Sequence, residues 1–552
     1  MVILELFLLL AVGVNGEDGS VAQAANALRI YVNEQPAGHE TFSVTKTETH
    51  ITWTGRASLE LRSFSIAIGS FTLVTDAQYR PREAHVRATI GPSEQEVRTT
   101  FADGKARSEI TVGGMRTTKE DSVSPDALVV LSNVPFFIYE VLAQRVDLSR
   151  TEPQNFRAYV LPQIELPLTV RVKGRERVPF ANRAEDLIHL ELALTQPTGQ
   201  MVSMEMWVDD ARRLIKLILP GLLFIEAYRE GYEKAIASIA PKDYEALEVT
   251  FPSEAIMLAG TLTLPKQRSH PLPALVLIAG SGPHERDENV AGVKVFEQIA
   301  DHLTRHGFAV LRYDKRGVGK SQGDYPTATT YDFADDAHAA VRFLRTRPEI
   351  APDRIALIGH SEGAIVALLV AARDPKLAAI VLMAGPATSG EEVILEQQAY
   401  LLRNLPEKDR QERIAWQRKI LEAVKTDRGW EEIERALPPE ARAQLAAARS
   451  PWFREFVRLR PLALLEHLAC PILILQGGKD TQVFPHHAEA FSRALQAIGR
   501  VPYEVKVFPT LNHLFHKAET GDISEYGKLT KQLDAEFLTV LTEWLRERLK
   551  GR

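Results

Sequence analysis

At 552 residues the chain is too long for one ordinary domain, and two or three are expected. Hydrophobic residues make up 45% and charged residues 25%, the balance of a globular protein. The net charge of −6 excludes a general nucleic-acid binder, which would carry a basic surplus or stripe.

In chain order, the first segment is the apolar run Met1-Val2-Ile3-Leu4-Glu5-Leu6-Phe7-Leu8-Leu9-Leu10-Ala11-Val12. It has the size of a signal-peptide core and falls well short of the roughly 20 residues that span a bilayer. Ala22-Gln23-Ala24 fits an A-x-A cleavage site, so residues 1–24 are expected to be a signal peptide and the protein to be exported, periplasmic or secreted. The fit is imperfect, because no lysine or arginine precedes the core and Glu5 interrupts it; without a working signal the chain would be cytoplasmic. No other stretch is long and apolar enough for a stable membrane span.

Residues 25–230 read as an antiparallel β-rich domain. Ile188, Leu190 and Leu192 alternate with polar neighbours, as do Met204, Met206 and Val208, the period-two pattern of strands with one wet face. One helix is predicted over Asp126 to Gln144, with Pro125 in its first turn. The histidines of this half (His39, His50, His85, His189) are isolated and read as surface residues. Residues 231–245 read as a connector.

From residue 246 to 552 the pattern changes. A hairpin over Leu247 to Leu264 opens a series of short apolar strands alternating with amphipathic helices. Strands are predicted at Pro273–Ala279, Phe308–Tyr313, Arg354–Ile358, Leu377–Met383, Pro471–Gln476 and Tyr503–Phe508. Helices are predicted at Val290–Arg305, Tyr331–Arg347, Glu362–Arg373, His487–Ile498 and Leu529–Leu549. Such alternation implies a mostly parallel sheet covered on both faces. Residues 387–465 break the series. They are rich in helix formers and carry Trp416, Trp430 and Trp452, so a helical cap over one end of the sheet is expected. The single cysteine, Cys470, sits in an apolar run and reads as a small buried residue.

Gly359-His360-Ser361-Glu362-Gly363 matches G-x-S-x-G, with a predicted strand directly before it and a helix directly after. That context projects the serine from a tight turn at the sheet edge, and the helix N-terminus adds partial positive charge beside it. A serine nucleophile needs a base in hydrogen-bond reach, oriented in turn by an acid. Asp480 follows one later strand and His513 the next, in the order Ser, Asp, His. All three sit on loops leaving the same sheet edge, where open α/β sheets bind ligands. His516, three residues on, is the nearest rival base and is expected to be entering a helix. His486 and His487 read as helix-start residues. For the oxyanion, the backbone N–H groups of Glu362 and Ser281 are the expected donors, with Gly282 second to Ser281. Gly282, His284 and Arg286 of the loop Gly280-Ser281-Gly282-Pro283-His284-Glu285-Arg286-Asp287 are candidate substrate-binding residues; equally, the charges of this loop could pin it by ion pairs. Asp314-Lys315-Arg316-Gly317-Val318-Gly319-Lys320-Ser321 lacks the phosphate-loop spacing and reads as a structural turn beside the site. No metal and no organic cofactor is expected.

On these motifs, residues 246–552 resemble the α/β-hydrolase superfamily, and the opening loop resembles that of bacterial carboxylesterases carrying G-S-G-P-x-D-R-D, with Glu285 here in place of the first aspartate and Ala279 in place of the usual histidine. The resemblance implies an α/β-hydrolase fold with a helical cap, fused to an N-terminal antiparallel β-rich domain. It also implies hydrolysis of short- to medium-acyl, small-molecule esters through an acyl-enzyme. Kinship with prolyl-oligopeptidase-like catalytic domains leaves peptidase, amidase or acyl-transferase action as alternatives. A non-enzymatic binding protein is disfavoured by the complete serine, aspartate and histidine set.

Overall fold

The computed structural model describes residues 26–550 except 33–34, 62–63, 92, 132–133, 198–200, 221–223, 235–242, 269–270 and 438–444. The expected signal peptide therefore lies outside the described residues, as does most of the expected connector. The chain divides into two compact units between Ser238 and Ile239. Among the described residues no helix is long and apolar enough to cross a membrane.

The first unit is one sheet of fifteen strands, antiparallel throughout except at one end. The strand Ala27–Val32 lies in its middle, paired on one side with Gln35–Lys46 and on the other with Ile225–Arg229, so the unit's start and end are hydrogen-bonded neighbours. Leu28, Ile30 and Val32 are buried while Arg29 is exposed, the alternation that gives a sheet one dry face. A short helix, Tyr139–Arg145, is buried with that face. Phe137, just before it, stacks on Phe42 at 4.7 Å and meets Phe71 edge-on. Glu40, fully buried, accepts the backbone N–H groups of Phe136 and Phe137 at 2.6 and 3.0 Å.

The helix predicted over Asp126 to Gln144 is corrected here. Leu128–Val130 is instead a strand, paired in parallel with Ala158–Val160, and the helix begins only at Tyr139. Leu128-Val129-Val130 is a buried triplet with two β-branched valines, which suits a sheet. Pro135 then bars a continuous helix, since it has no N–H to donate and pushes its predecessor to extended backbone.

The second unit is built on eight strands, numbered β1 (Tyr244–Ser253), β2 (Ile256–Pro265), β3 (Leu272–Ile278), β4 (Ala309–Tyr313), β5 (Ile350–His360), β6 (Ala379–Met383), β7 (Ile472–Gly477) and β8 (Tyr503–Phe508). Their order in the sheet is β1-β2-β4-β3-β5-β6-β7-β8. The hairpin β1–β2 is antiparallel and everything from β4 to β8 is parallel. Chain order doubles back at β3 and β4, so adjacent crossovers leave a crevice at the carboxyl ends of β3 and β5. The central strands are buried along nearly their whole length, as parallel strands covered on both faces must be. Ala274, Val276, Ile278, Leu357 and Leu382 share one apolar core with the helices Thr330–Arg345, Glu362–Arg373 and His486–Ile498. Helices Val295–Arg305 and Ala535–Arg548 pack on each other elsewhere.

Two helix starts differ from the sequence reading. Val290 to Lys294 is a tiny hairpin rather than helix, because Ala291 and Gly292 both take positive φ (53° and 76°), the geometry of a two-residue turn. The final helix starts at Ala535, where Asp534 caps the N–H groups of Glu536 and Phe537. His516 consequently lies in a loop, not at a helix start.

Between β6 and β7 the chain forms the helices Gly390–Leu401, Glu407–Thr426, Trp430–Ala436, Leu445–Ala448 and Pro451–Arg458. Ser389 and Glu392 cap the first of them reciprocally. Trp452, Phe453 and Phe456 bury against the core below. Gly390 is required there, since a Cβ would stand 2.5 Å from the Phe456 ring.

Candidate active site

Ser361 occupies the single residue between β5 and the helix Glu362–Arg373, with φ 55° and ψ −120°. A non-glycine residue at positive φ is strained, and such strain gathers at functional positions. The turn survives because its flanks are glycines. A Cβ at Gly359 would stand 2.0 Å from the Gly363 carbonyl oxygen, and one at Gly363 would stand 2.0 Å from that of Ile278. Strand, turn and helix thus touch backbone to backbone.

Asp480 leaves the end of β7 and is buried. Its Oδ1 accepts the backbone N–H groups of Gln482 and Val483 at 2.8 and 2.9 Å, and its Oδ2 accepts Gln476 Nε2 at 3.0 Å. The same Oδ2 accepts His513 Nδ1 at 2.7 Å. With Nδ1 carrying the proton, His513 Nε2 holds a free lone pair, the form a general base needs. His516, the rival, is buried. Its Nδ1–H donates to the Leu514 carbonyl at 2.8 Å, and burial pushes its pKa down to about 4. It is a neutral structural side chain.

The loop after β3 lies directly on the serine. A Cβ added at Gly280 would stand 3.1 Å from the Ser361 Cβ. The Gly280 N–H donates to Glu288 Oε1 at 2.6 Å, and its carbonyl accepts Lys315 Nζ at 2.5 Å. The next carbonyl, of Ser281, accepts His284 Nε2 at 2.7 Å. Burial holds His284 below the ordinary histidine range, as suits a ring employed in bracing its own loop. Arg286, a substrate-binding candidate, is engaged by its own neighbours. Its guanidinium forks onto Asp314 (3.0 and 2.9 Å) and also holds Glu248 and Thr261, so it clamps the loop to the neighbouring turn. That turn, from Asp314 to Ser321, is structural: Gly319 has φ 54°, and a Cβ there would stand 2.3 Å from Asp314 Oδ2. Gly282 takes φ 112°, a conformation reserved for glycine.

Sequence reasoning missed a second layer of side chains. His360, within the G-x-S-x-G motif, is buried with Glu288. Its Nδ1 meets Glu288 Oε1 at 3.0 Å, and its Nε2 meets the His513 carbonyl at 3.0 Å. Burial disfavours charge on both residues, and their mutual attraction outweighs it. His360 is held above, and Glu288 below, its ordinary pKa. A carboxylate and a carbonyl can only accept, so His360 donates from both nitrogens and is an imidazolium. It joins the Ser361 turn, the loop after β3 through Glu288, and the His513 loop, with the two imidazole rings 4.8 Å apart. Glu362, beside the serine, is also missed as a side chain: its Oε1 accepts Thr330 Oγ1 and the cap's Trp452 Nε1, each at 2.7 Å. The available signal was weak, a histidine and a glutamate in the two variable places of the motif.

Glu396, His486 and His487 bring ligand atoms within 4.8 Å of one another. They do not suit a metal ion. His487 Nδ1 accepts the Ala387 N–H at 3.1 Å, so its Nε2 bears the proton that points at Glu396. The trio is a hydrogen-bonded latch between the cap helix Gly390–Leu401 and the helix His486–Ile498.

This sheet order, with a strained serine at the end of its fifth strand, defines an α/β-hydrolase of the serine-hydrolase type. Comparison with known proteins agrees. Residues 290–520 match the family described as serine aminopeptidase, S33. Esterase EstD of Thermotoga maritima is 31% identical over 326 residues, covering 59% of this chain and 73% of that protein. A thiohydrolase of Arthrinium phaeospermum, apmlB, is 36% identical over 92 residues, 16% of this chain and 29% of its own. Among solved structures, the Pyrococcus furiosus esterase Pf2001 aligns over 57% of this chain and 97% of its own, at 18% identity and a TM-score of 0.38. The chain belongs to the α/β-hydrolase family of esterases that includes EstD, and it is a carboxylesterase-like hydrolase.

Proposed function

We propose that this esterase works through a Ser361–His513–Asp480 triad and a covalent acyl-enzyme. Ser361 Oγ attacks the acyl carbon of the ester while His513 Nε2 takes its proton. The oxyanion that forms accepts hydrogen bonds from the backbone N–H groups of Ser281 and Glu362. Collapse expels the alcohol, which receives the proton from His513. Water, activated by the same imidazole, then attacks the acyl carbon and frees the acid and Ser361. Substrates in this reading are small-molecule esters of short to medium acyl chain.

The observation that supports the reading most is the buried Asp480–His513 bond at 2.7 Å, with the His513 carbonyl held by His360, the residue next to the strained serine. The test is labelling by a fluorophosphonate probe together with p-nitrophenyl ester hydrolysis. Wild type is labelled and active; Ser361→Ala is neither. A Ser361→Ala protein that still hydrolyses esters at the wild-type rate rejects the triad. A second reading, action on amide bonds, is supported by the aminopeptidase description of the matching family. Parallel assays on aminoacyl anilides and matched esters decide between them, and preferential anilide turnover would overturn the ester assignment. We also propose export, on the apolar core and A-x-A site of residues 1–24; a full-length precursor accumulating in the cytoplasm would contradict it.

A further inference from the structure

Lys315 is a buried cation that the chemistry above does not use, only 5% exposed. Its ammonium donates to the Gly280 carbonyl at 2.5 Å, lies 4.3 Å from the centre of the Phe333 ring, and is 3.8 Å from Glu362 Oε2. A lysine is strongly hydrated, and burying its charge is unfavourable unless something specific is gained. The position of its acceptor shows what is gained.

A trans peptide is planar, with its C=O and N–H pointing in opposite directions. Fixing the Gly280 carbonyl therefore fixes the direction of the Ser281 N–H. Gly280 rests against the Ser361 Cβ, and as a glycine it has no side chain to resist rotation of that peptide. The groups on either side are also held: the Gly280 N–H by Glu288 and the Ser281 carbonyl by His284. Lys315 holds the one peptide whose N–H matters. Its counter-charge, Glu362, is the residue whose own N–H is the other proposed donor, and Trp452 and Thr330 fix that carboxylate.

We propose that Lys315 is a positioning residue for the oxyanion hole, its ammonium locking the Gly280–Ser281 peptide so that the Ser281 N–H faces the developing oxyanion. The proposal rests on the acyl-enzyme reading above. It concerns the transition state and not substrate capture, so it acts on kcat and leaves KM nearly unchanged. Burial, opposed by Glu362 and Glu288, pushes the Lys315 pKa below its ordinary value, so the ammonium is carried there at a desolvation cost.

The test must separate this role from simple neutralisation of Glu362. Lys315→Met keeps the apolar stem as far as Cε and removes the ammonium, but it strands the Glu362 carboxylate. The double variant Lys315→Met with Glu362→Gln is charge-balanced and is compared with Glu362→Gln alone. Each full-length protein is assayed on p-nitrophenyl butyrate, and its affinity for a trifluoromethyl ketone, which mimics the tetrahedral oxyanion, is measured.

The expected result is a kcat for the double variant about 10- to 100-fold below that of Glu362→Gln, short of the ~10²- to 10³-fold lost with an entire oxyanion donor. KM stays within about 3-fold, and ketone affinity falls in parallel with kcat. Equal kcat in the two proteins would overturn the proposal and leave Lys315 as a mere counter-ion, as would a loss confined to KM. Ser361→Ala keeps the two levels apart. If it is inactive while the double variant matches Glu362→Gln, only this inference fails; if it is active, the acyl-enzyme reading fails first.

Discussion

Replacing His360 with glutamine tests whether the imidazolium holds the site together. The side chain gives up two hydrogen bonds, to Glu288 at 3.0 Å and to the His513 carbonyl at 3.0 Å, and one charge. Glutamine can restore at most one bond and none of the charge, so a buried Glu288 carboxylate is left without its cation. Breaking such a pair on one side costs about 3–5 kcal/mol. For a unit of roughly 300 residues each kcal/mol lowers the thermal midpoint by about 1.5 °C, giving an expected fall of about 4–8 °C. Adding Glu288→Gln removes the stranded charge and should recover more than half of that loss, because the excess penalty belongs to the unpaired carboxylate and not to the missing contact. The assay is scanning calorimetry of wild type, both single variants and the double variant at pH 7. A single variant within about 1 kcal/mol of wild type, or a double variant no better than the worse single, would refute the reasoning. The pH dependence has a fixed sign. His360 is raised, so its contribution is complete below the unfolded histidine value and is lost as pH climbs through its folded pKa. Glu288 is lowered, so its contribution is complete above the unfolded glutamate value and is lost as pH drops through its folded pKa. The pair thus stabilises most between those limits, and His360→Gln should flatten both flanks of the stability profile.

Asp480→Asn should lower kcat by about 10⁴-fold with little change in KM, because an amide in place of the carboxylate selects the wrong tautomer of His513; p-nitrophenyl ester kinetics measure it, and a loss under 10-fold would speak against Asp480 as the orienting acid. Gly363→Ala should give no folded enzyme at 37 °C, since its Cβ would stand 2.0 Å from the Ile278 carbonyl oxygen and backbone on both sides has nowhere to move; soluble yield and circular dichroism report the outcome. In the N-terminal unit, burial pushes the Glu40 pKa up to about 8 against the pull of the Phe136 and Phe137 N–H groups. Its stabilising contribution is complete below about pH 4.5 and is lost as pH rises through about 8, so Glu40→Gln should hold its thermal midpoint between pH 6 and 9 better than wild type does, as differential scanning fluorimetry across that range would show.

The architecture of the second unit was legible because period and composition agree at every step: buried β-branched runs, amphipathic helices between them, and a helix-forming insertion after Met383. The loops bearing Ser361, Asp480 and His513 could be located because each follows a strand whose pattern is unambiguous. What the sequence could not reveal is pairing at a distance. Glu288 and His360 lie 72 residues apart, and Lys315 lies 35 residues from Gly280. Nothing local in either segment marks its partner. Arg286 shows the same limit, since a guanidinium in a site loop serves a ligand or an ion pair equally well until Asp314 and Glu248 are seen beside it. The misread helix over Asp126 to Gln144 has a different origin. Burial in a sheet took Leu128–Val130 and a proline cut the remainder.

The strands β6 and β7 are immediate neighbours, bonded from Ile380–Ile472 to Met383–Leu475, although the whole cap intervenes in the chain. The ladder therefore makes no demand on what lies between residues 384 and 471, and extra loop length adds little entropic penalty. Evolution is free to trade one set of cap helices for another without disturbing the ladder beneath. Specific tethers limit that freedom, among them the Glu396 latch to His486 and His487 and the Trp452 contact with Glu362. Any replacement must still offer a hydrogen-bond donor where the Trp452 indole now meets Glu362, or the residue beside Ser361 loses a support.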